Sequence, residues 1–124
     1  MRQWLVNPKL LCRKHLLGEH VEHHMFIGTI KKGVSIDGYV QLGLLDTSKL
    51  YSRHNELVEE MTKRGYNHYS PLEIIEVPTC KSRINIAANM LDLCTRCSEC
   101  KKLHEQVFPT IYGIDIELRK MLNA

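Results

Sequence analysis

The 124-residue sequence has no stretch of roughly 18 uninterrupted apolar residues, which excludes a membrane-spanning helix. It has no internal repeat, low-complexity tract or linker, so one domain over residues 1–124 is expected. Gly (7) and Pro (4) are modest beside a 44% hydrophobic content, which excludes a disordered chain. A strong charge of either sign is also missing. The net charge of +3 permits a nucleic-acid partner without demanding one. The N-terminus lacks the apolar centre of a signal peptide, because Met1-Arg2-Gln3-Trp4 runs almost straight into Asn7-Pro8-Lys9. A cytoplasmic protein is therefore expected, with its five cysteines as thiols or metal ligands rather than disulfides.

What is present is helical periodicity, and the expected fold class is all-α: a compact single domain of about three main helices joined by loops. Asn7 is suited to cap a first helix with Pro8 in its opening turn. That helix would run to about Ile30 on an apolar stripe of Leu10, Leu17, Val21 and Met25, ending at Lys31, Lys32 and Gly33. Residues 33–46 read as a loop with a short extended piece around Tyr39–Leu42. A second helix should start near Thr47 and end at Lys63-Arg64-Gly65, burying Leu50, Leu57, Val58 and Met61. Residues 66–78 read as a connection. Thr79 would cap a third helix with the stripe Ile84, Ala87, Ala88, Leu91 and Cys94. Pro109 and Gly113 break the pattern before a basic tail containing Arg119 and Lys120.

Three polar clusters can carry chemistry. His15, Glu19, Glu22 and Phe26 are spaced 4, 3 and 4 apart and share one helix face, where carboxylate and imidazole together suit acid–base work or a solvated mixed-charge surface. His20 and His24 at i, i+4 could hold a metal, but no glutamate follows His20 directly, so the HExxH arrangement is missing. Cys94, Cys97 and Cys100 form two overlapping C-x-x-C spacings, with Cys80 upstream and His104 downstream. Thiolates from Cys80, Cys94, Cys97 and Cys100 could make a zinc site. Against this, Cys94 lies on the apolar stripe, where a free cysteine packs as a small hydrophobe. One helix also aims three thiolates at one ion poorly unless it ends there. The third cluster, Lys63-Arg64-Gly65-Tyr66-Asn67, is a basic helix end.

Together these pieces resemble the pyrimidine dimer DNA glycosylase/AP lyase family. His15-Leu16-Leu17-Gly18-Glu19-His20-Val21-Glu22 is similar to the family's His-Leu-x-x-Glu-x-x-Glu. The run from Arg53 to Lys63-Arg64-Gly65-Tyr66-Asn67 is similar to its Lys-Arg-Gly-aromatic-Asn segment. A weaker third segment spans Ser82 to Asp92, with Tyr112-Gly113 beyond it, and the resemblance runs over nearly the whole chain. The family implies a compact all-α protein whose nucleophile is the mature N-terminal amine and whose acid/base is the second glutamate of the first motif, here Glu22. Arg2 matches a family arginine beside the amine, and His15 matches the family histidine.

Because Arg2 is large, Met1 is expected to be retained and to supply the amine. An α-amine is better suited than a lysine at neutral pH, with a reference pKa of about 7.7–8.0 against about 10.4. The implied partner is damaged double-stranded DNA, acted on by a monomer that uses no cofactor and no metal ligand. Arg2, Arg13, Lys14, Lys31, Lys32, Lys63 and Arg64 would hold its phosphates.

Two features depart from the family pattern. Where the family's best-known sequences have arginines around the glutamate, this chain has Val21 and Met25. The C-terminal aromatics reduce to Phe108 and Tyr112. Lesion preference therefore stays open between thymine dimers, oxidised purines and abasic sites. The competing classes are a non-catalytic nucleic-acid-binding module stapled by zinc and a metal-dependent hydrolase built on His20, His24 and Glu22.

Overall fold

The computed structural model describes residues 1–107 apart from Tyr69 and Lys81, so Phe108, Pro109, Tyr112, Gly113, Arg119 and Lys120 lie outside the described residues. The chain is all-α, with helices α1 (Arg13–Lys31), α2 (Asp37–Gln41), α3 (Leu50–Lys63), α4 (Ile86–Arg96) and α5 (Ser98–Val107) and no strand among the described residues. No described helix is long and apolar enough to cross a membrane.

The first expected helix is two elements. Asn7 does cap a turn, accepting from the Lys9 N–H at 3.0 Å, but that turn is a 3-10 helix of Pro8–Leu10. Leu11 and Cys12 are extended, which ends the turn and lets both side chains enter the core before α1 begins. The expected stripe is also rotated. Val21 and Met25 are about half exposed, and α1 buries Leu16, Glu19, His20, His23, Phe26 and Ile27 instead. Polar residues with buried partners occupy half of that face, so apolar periodicity points the wrong way.

The supposed loop with an extended piece is the short helix α2. Thr79 does not cap the third helix. Asn85 does, accepting from the Ala88 N–H at 3.0 Å. That helix then breaks at Cys97, which is extended, so the region holds α4 and α5 rather than one helix. The end of α3 is as expected. Gly65 at φ 81° follows the last turn, in a left-handed conformation that glycine adopts without side-chain strain.

Helix α3 runs antiparallel to α1: Arg53 near its start meets Glu19, while Arg64 past its end reaches back to the carbonyls of Pro8 and Leu11. The core falls into two apolar clusters. One gathers Trp4, Val6, Leu11, Leu16, Leu57 and Leu93; the other gathers Phe26, Ile27, Ile36, Leu45, Leu50 and Leu72. Between them along α1 and α3 lies a polar layer in which Glu19 and Arg53 are 1% exposed each. The Arg53 Nε and Nη2 donate to the two Glu19 oxygens at 2.5 and 2.9 Å, a bidentate fork. The connection after α3 is held by Tyr51, whose hydroxyl donates to the Glu73 carbonyl and accepts from the Ile75 N–H, both at 3.0 Å.

Removing one partner of a buried pair strands the other charge away from water, at a cost of about 3–5 kcal/mol. Arg53→Ala is expected to lose that much in urea unfolding, while Val21→Ala on the exposed face of the same helix should stay within about 0.5 kcal/mol.

Candidate active site at the chain start

The first six residues form an extended segment fixed at two points. The Gln3 N–H donates to the Leu44 carbonyl at 2.8 Å, and its side-chain carbonyl accepts from the Asp46 N–H at 2.8 Å. The Gln3 amide nitrogen also sits 3.3 Å from His23 Nε2. One residue on, the Trp4 carbonyl accepts from the Asn89 side chain at 2.7 Å. Leu5 takes φ 57°, a left-handed conformation costly for a side chain, and this lets the flanking Trp4 and Val6 both bury.

That anchoring places the amine. The Met1 nitrogen lies 4.0 Å from one Glu22 oxygen, and the Arg2 backbone N–H donates to the other at 3.3 Å. The group faces a cavity of about 340 Å³ whose walls include Trp4, Lys14, His15 and Arg96. Gly18, one turn before Glu22, leaves its floor open: a Cβ there would meet nothing within 4 Å. Basic atoms from Met1 and Lys14, and from an Arg96 already paired to Asp92 at 2.7 Å, surround Glu22 and make a site suited to an anionic ligand and to proton transfer at its centre. A larger cavity, about 420 Å³, opens beside Tyr51, His54 and Leu72, but no amine or carboxylate side chain lines it.

The residues expected on one face of α1 divide their work. Glu22 reaches the amine, Glu19 is consumed by Arg53, and Phe26 is core. His15 lines the cavity edge-on to Trp4, yet its Nδ1 points at sulfur, 3.2 Å from Cys12 Sγ and 3.5 Å from Cys100 Sγ. Burial, then the charges of Lys14 and Arg96, push its pKa below the ordinary histidine value, which keeps it neutral at pH 7. Arg2 is tied down rather than free: its guanidinium bonds Asn89 and Asp92 and stacks on Trp4 at 3.8 Å.

The expected phosphate-holding set is dispersed. Lys14 stands at the cavity and Arg13 stacks over Tyr66, but Lys31 and Lys32 are at the far end of α1, with Lys31 paired to Glu73 at 2.9 Å. Lys63 pairs with Glu59, and Arg64 is spent on the Pro8 and Leu11 carbonyls. Sequence reading missed Trp4, three residues from the amine, and Asn89 and Arg96, which α4 brings to that segment from far along the chain.

The class defined here is a small helical protein with an N-terminal amine held against a carboxylate in a basic cavity. The family model for pyrimidine dimer DNA glycosylase matches residues 1–74, more than half of the chain, and the chain belongs to that family. The match contains Met1, Glu22 and the Lys63–Asn67 segment; the weaker Ser82–Asp92 resemblance lies outside it. Comparison with curated proteins and with solved structures returned no match.

The Asn89 side chain joins both Trp4 and Arg2 of the amine-bearing segment to α4. Asn89→Ala leaves the buried Trp4 carbonyl unsatisfied, at about 1–3 kcal/mol. It should raise amide exchange at residues 2–6 while leaving the amides of α3 protected.

Proposed function

We propose that this protein is a DNA glycosylase with AP lyase activity, and that the α-amine of Met1 is its nucleophile. The observation that carries the reading is the amine 4.0 Å from Glu22 in an open, basic cavity, in a chain of the pyrimidine dimer DNA glycosylase family. Glu22 as a carboxylate takes a proton from the ammonium. The freed lone pair attacks C1′ of the damaged nucleotide, the glycosidic bond breaks with its electron pair leaving on the base, and the departing base takes one of the two protons on the new C1′-bound nitrogen. Glu22 returns the proton to the sugar ring oxygen as the C1′–O4′ bond opens, which leaves an imine between Met1 and C1′. The imine acidifies the C2′ proton. Its removal expels the 3′ phosphate by β-elimination, and water then hydrolyses the imine to free the amine.

The anchoring of residues 1–6 supports this role, because it confines the amine before substrate arrives and so lowers the entropic cost of attack. To reach C1′ the duplex must kink and a nucleotide must leave the stack. Lys14 is placed to receive a flanking phosphate, Arg96 beside it is paired to Asp92 at 2.7 Å, and neutral His15 adds no competing charge. Val21 and Met25, half exposed on α1, give that side of the helix an apolar rather than charged contact with the substrate.

Two outcomes follow. Glu22→Gln should bind lesion DNA normally but nick it about 10²–10⁴-fold more slowly in single-turnover assays, and residues added ahead of Met1 should abolish nicking. Wild-type rates in either variant would remove the proposed roles. Lys14→Ala should lower the slope of log K against log salt by about 1, whereas Arg64→Ala should leave that slope unchanged and lower thermal stability.

A further inference from the structure

We propose that the chain binds two zinc ions, one held by Cys12, His15, Cys97 and Cys100 and the other by His20, His24, His54 and His68. Each set brings one ligand atom per residue within 4.8 Å of the others. Neither rests on the Schiff-base reading, and they stand on separate observations.

The first set is two short chelating segments, Cys12-x-x-His15 and Cys97-x-x-Cys100. Zinc–sulfur bonds of about 2.3 Å in a tetrahedron place sulfurs about 3.8 Å apart. The Cys12 and Cys97 sulfurs are 3.7 Å apart, and His15 Nδ1 sits 3.2 Å from Cys12 Sγ and 3.5 Å from Cys100 Sγ. Backbone donors support the sulfurs: the Cys12 N–H points at Cys100 Sγ at 3.3 Å and the Cys100 N–H at Cys97 Sγ at 3.4 Å. Such bonds are what thiolates need once they are ionised and buried.

The break between α4 and α5 falls on Cys97, so one continuous helix does not have to aim both thiolates. Three thiolates and one neutral imidazole around Zn²⁺ leave a net charge of −1, beside which Lys14 and Arg96 are placed. Cys80 and Cys94 take no part. The Cys80 backbone bonds Thr47, and Cys94 is buried on α4.

The second set stands on orphaned nitrogens. The Nε2 atoms of His20, His24, His54 and His68 are all buried and lack a hydrogen-bond partner among the described residues. Burying one such atom unsatisfied costs free energy, and four converging on one point have a shared explanation in a cation that takes their lone pairs. The rings lie face to edge or tilted, with centroids 4.6 Å (His20–His68) to 5.3 Å (His54–His68) apart, too close for four imidazolium charges. The ion would tie α1, α3 and the connection after α3 together.

Untagged wild-type protein, purified without chelator from zinc-supplemented cells, should carry two Zn²⁺ per chain by elemental analysis. The Cys97→Ser/Cys100→Ser variant should keep one, and the His54→Gln/His68→Gln variant the other. Because either variant could fail to fold, cobalt exchange into the wild type gives a second measurement. It should show tetrahedral Co²⁺ bands with a thiolate-to-cobalt charge-transfer band that the histidine variant retains. Folded wild type free of metal and unable to take up Zn²⁺ or Co²⁺ overturns both sites. A single ion without the charge-transfer band overturns the cysteine site, and a single ion lost with Cys97 and Cys100 overturns the histidine site.

Discussion

The buried fork between Glu19 and Arg53 fixes the rotation of α1 about its own axis, and the remaining chemistry is read off that rotation. Isolated charges in a low-dielectric interior are expensive, so the pair tolerates few alternative orientations of either helix. With Glu19 turned into α3, Glu22 one turn later faces the chain start, His20 and His24 face His54, and His15 one turn earlier faces the thiols. A rotation by one residue would withdraw Glu22 from the amine and unpair Arg53 at once. Stability and the proposed catalysis are coupled through one ion pair that touches neither the amine nor the lesion.

The second constraint is the tethering of residues 1–6. A chain terminus is ordinarily mobile, which would dilute the amine over a large volume. Here Gln3 is locked to the segment after α2 and Trp4 to α4, so the amine is held by both halves of the molecule. The left-handed Leu5 is where that arrangement stores strain, between two residues whose burial offsets it. The cysteine and histidine sets sit on either side of the same stretch of α1, and filling them would stiffen the helix that carries Glu22.

Much of this was legible from sequence where local rules decide. The all-α class and α3 with its Gly65 stop came from periodicity and turn chemistry, and Glu22 as the partner of the Met1 amine came from the family resemblance. What failed did so for tertiary reasons. The α1 stripe was misplaced because its buried face carries Glu19, His20 and His23, whose partners Arg53, His54 and Gln3 are remote in sequence. The expected basic set is scattered, and Arg2, Lys31 and Arg64 find internal partners that charge counting does not see. Of the four cysteines that sequence spacing grouped, Cys97 and Cys100 come together in the structure, with Cys12 and His15 in place of Cys80 and Cys94. The repeated two-residue gap in Cys12-x-x-His15 was the available signal. His54 and His68 had none, because packing of α3 on α1 brings His54, and the connection after α3 brings His68, to His20.

The most direct test of the central claim is borohydride reduction during reaction with abasic-site DNA, followed by peptide mapping of the trapped protein. The deoxyribose remnant should be found on the Met1 α-nitrogen, in the N-terminal peptide alone. A remnant on the Lys14 side chain, or a nicked strand with no trapped protein, would contradict the account.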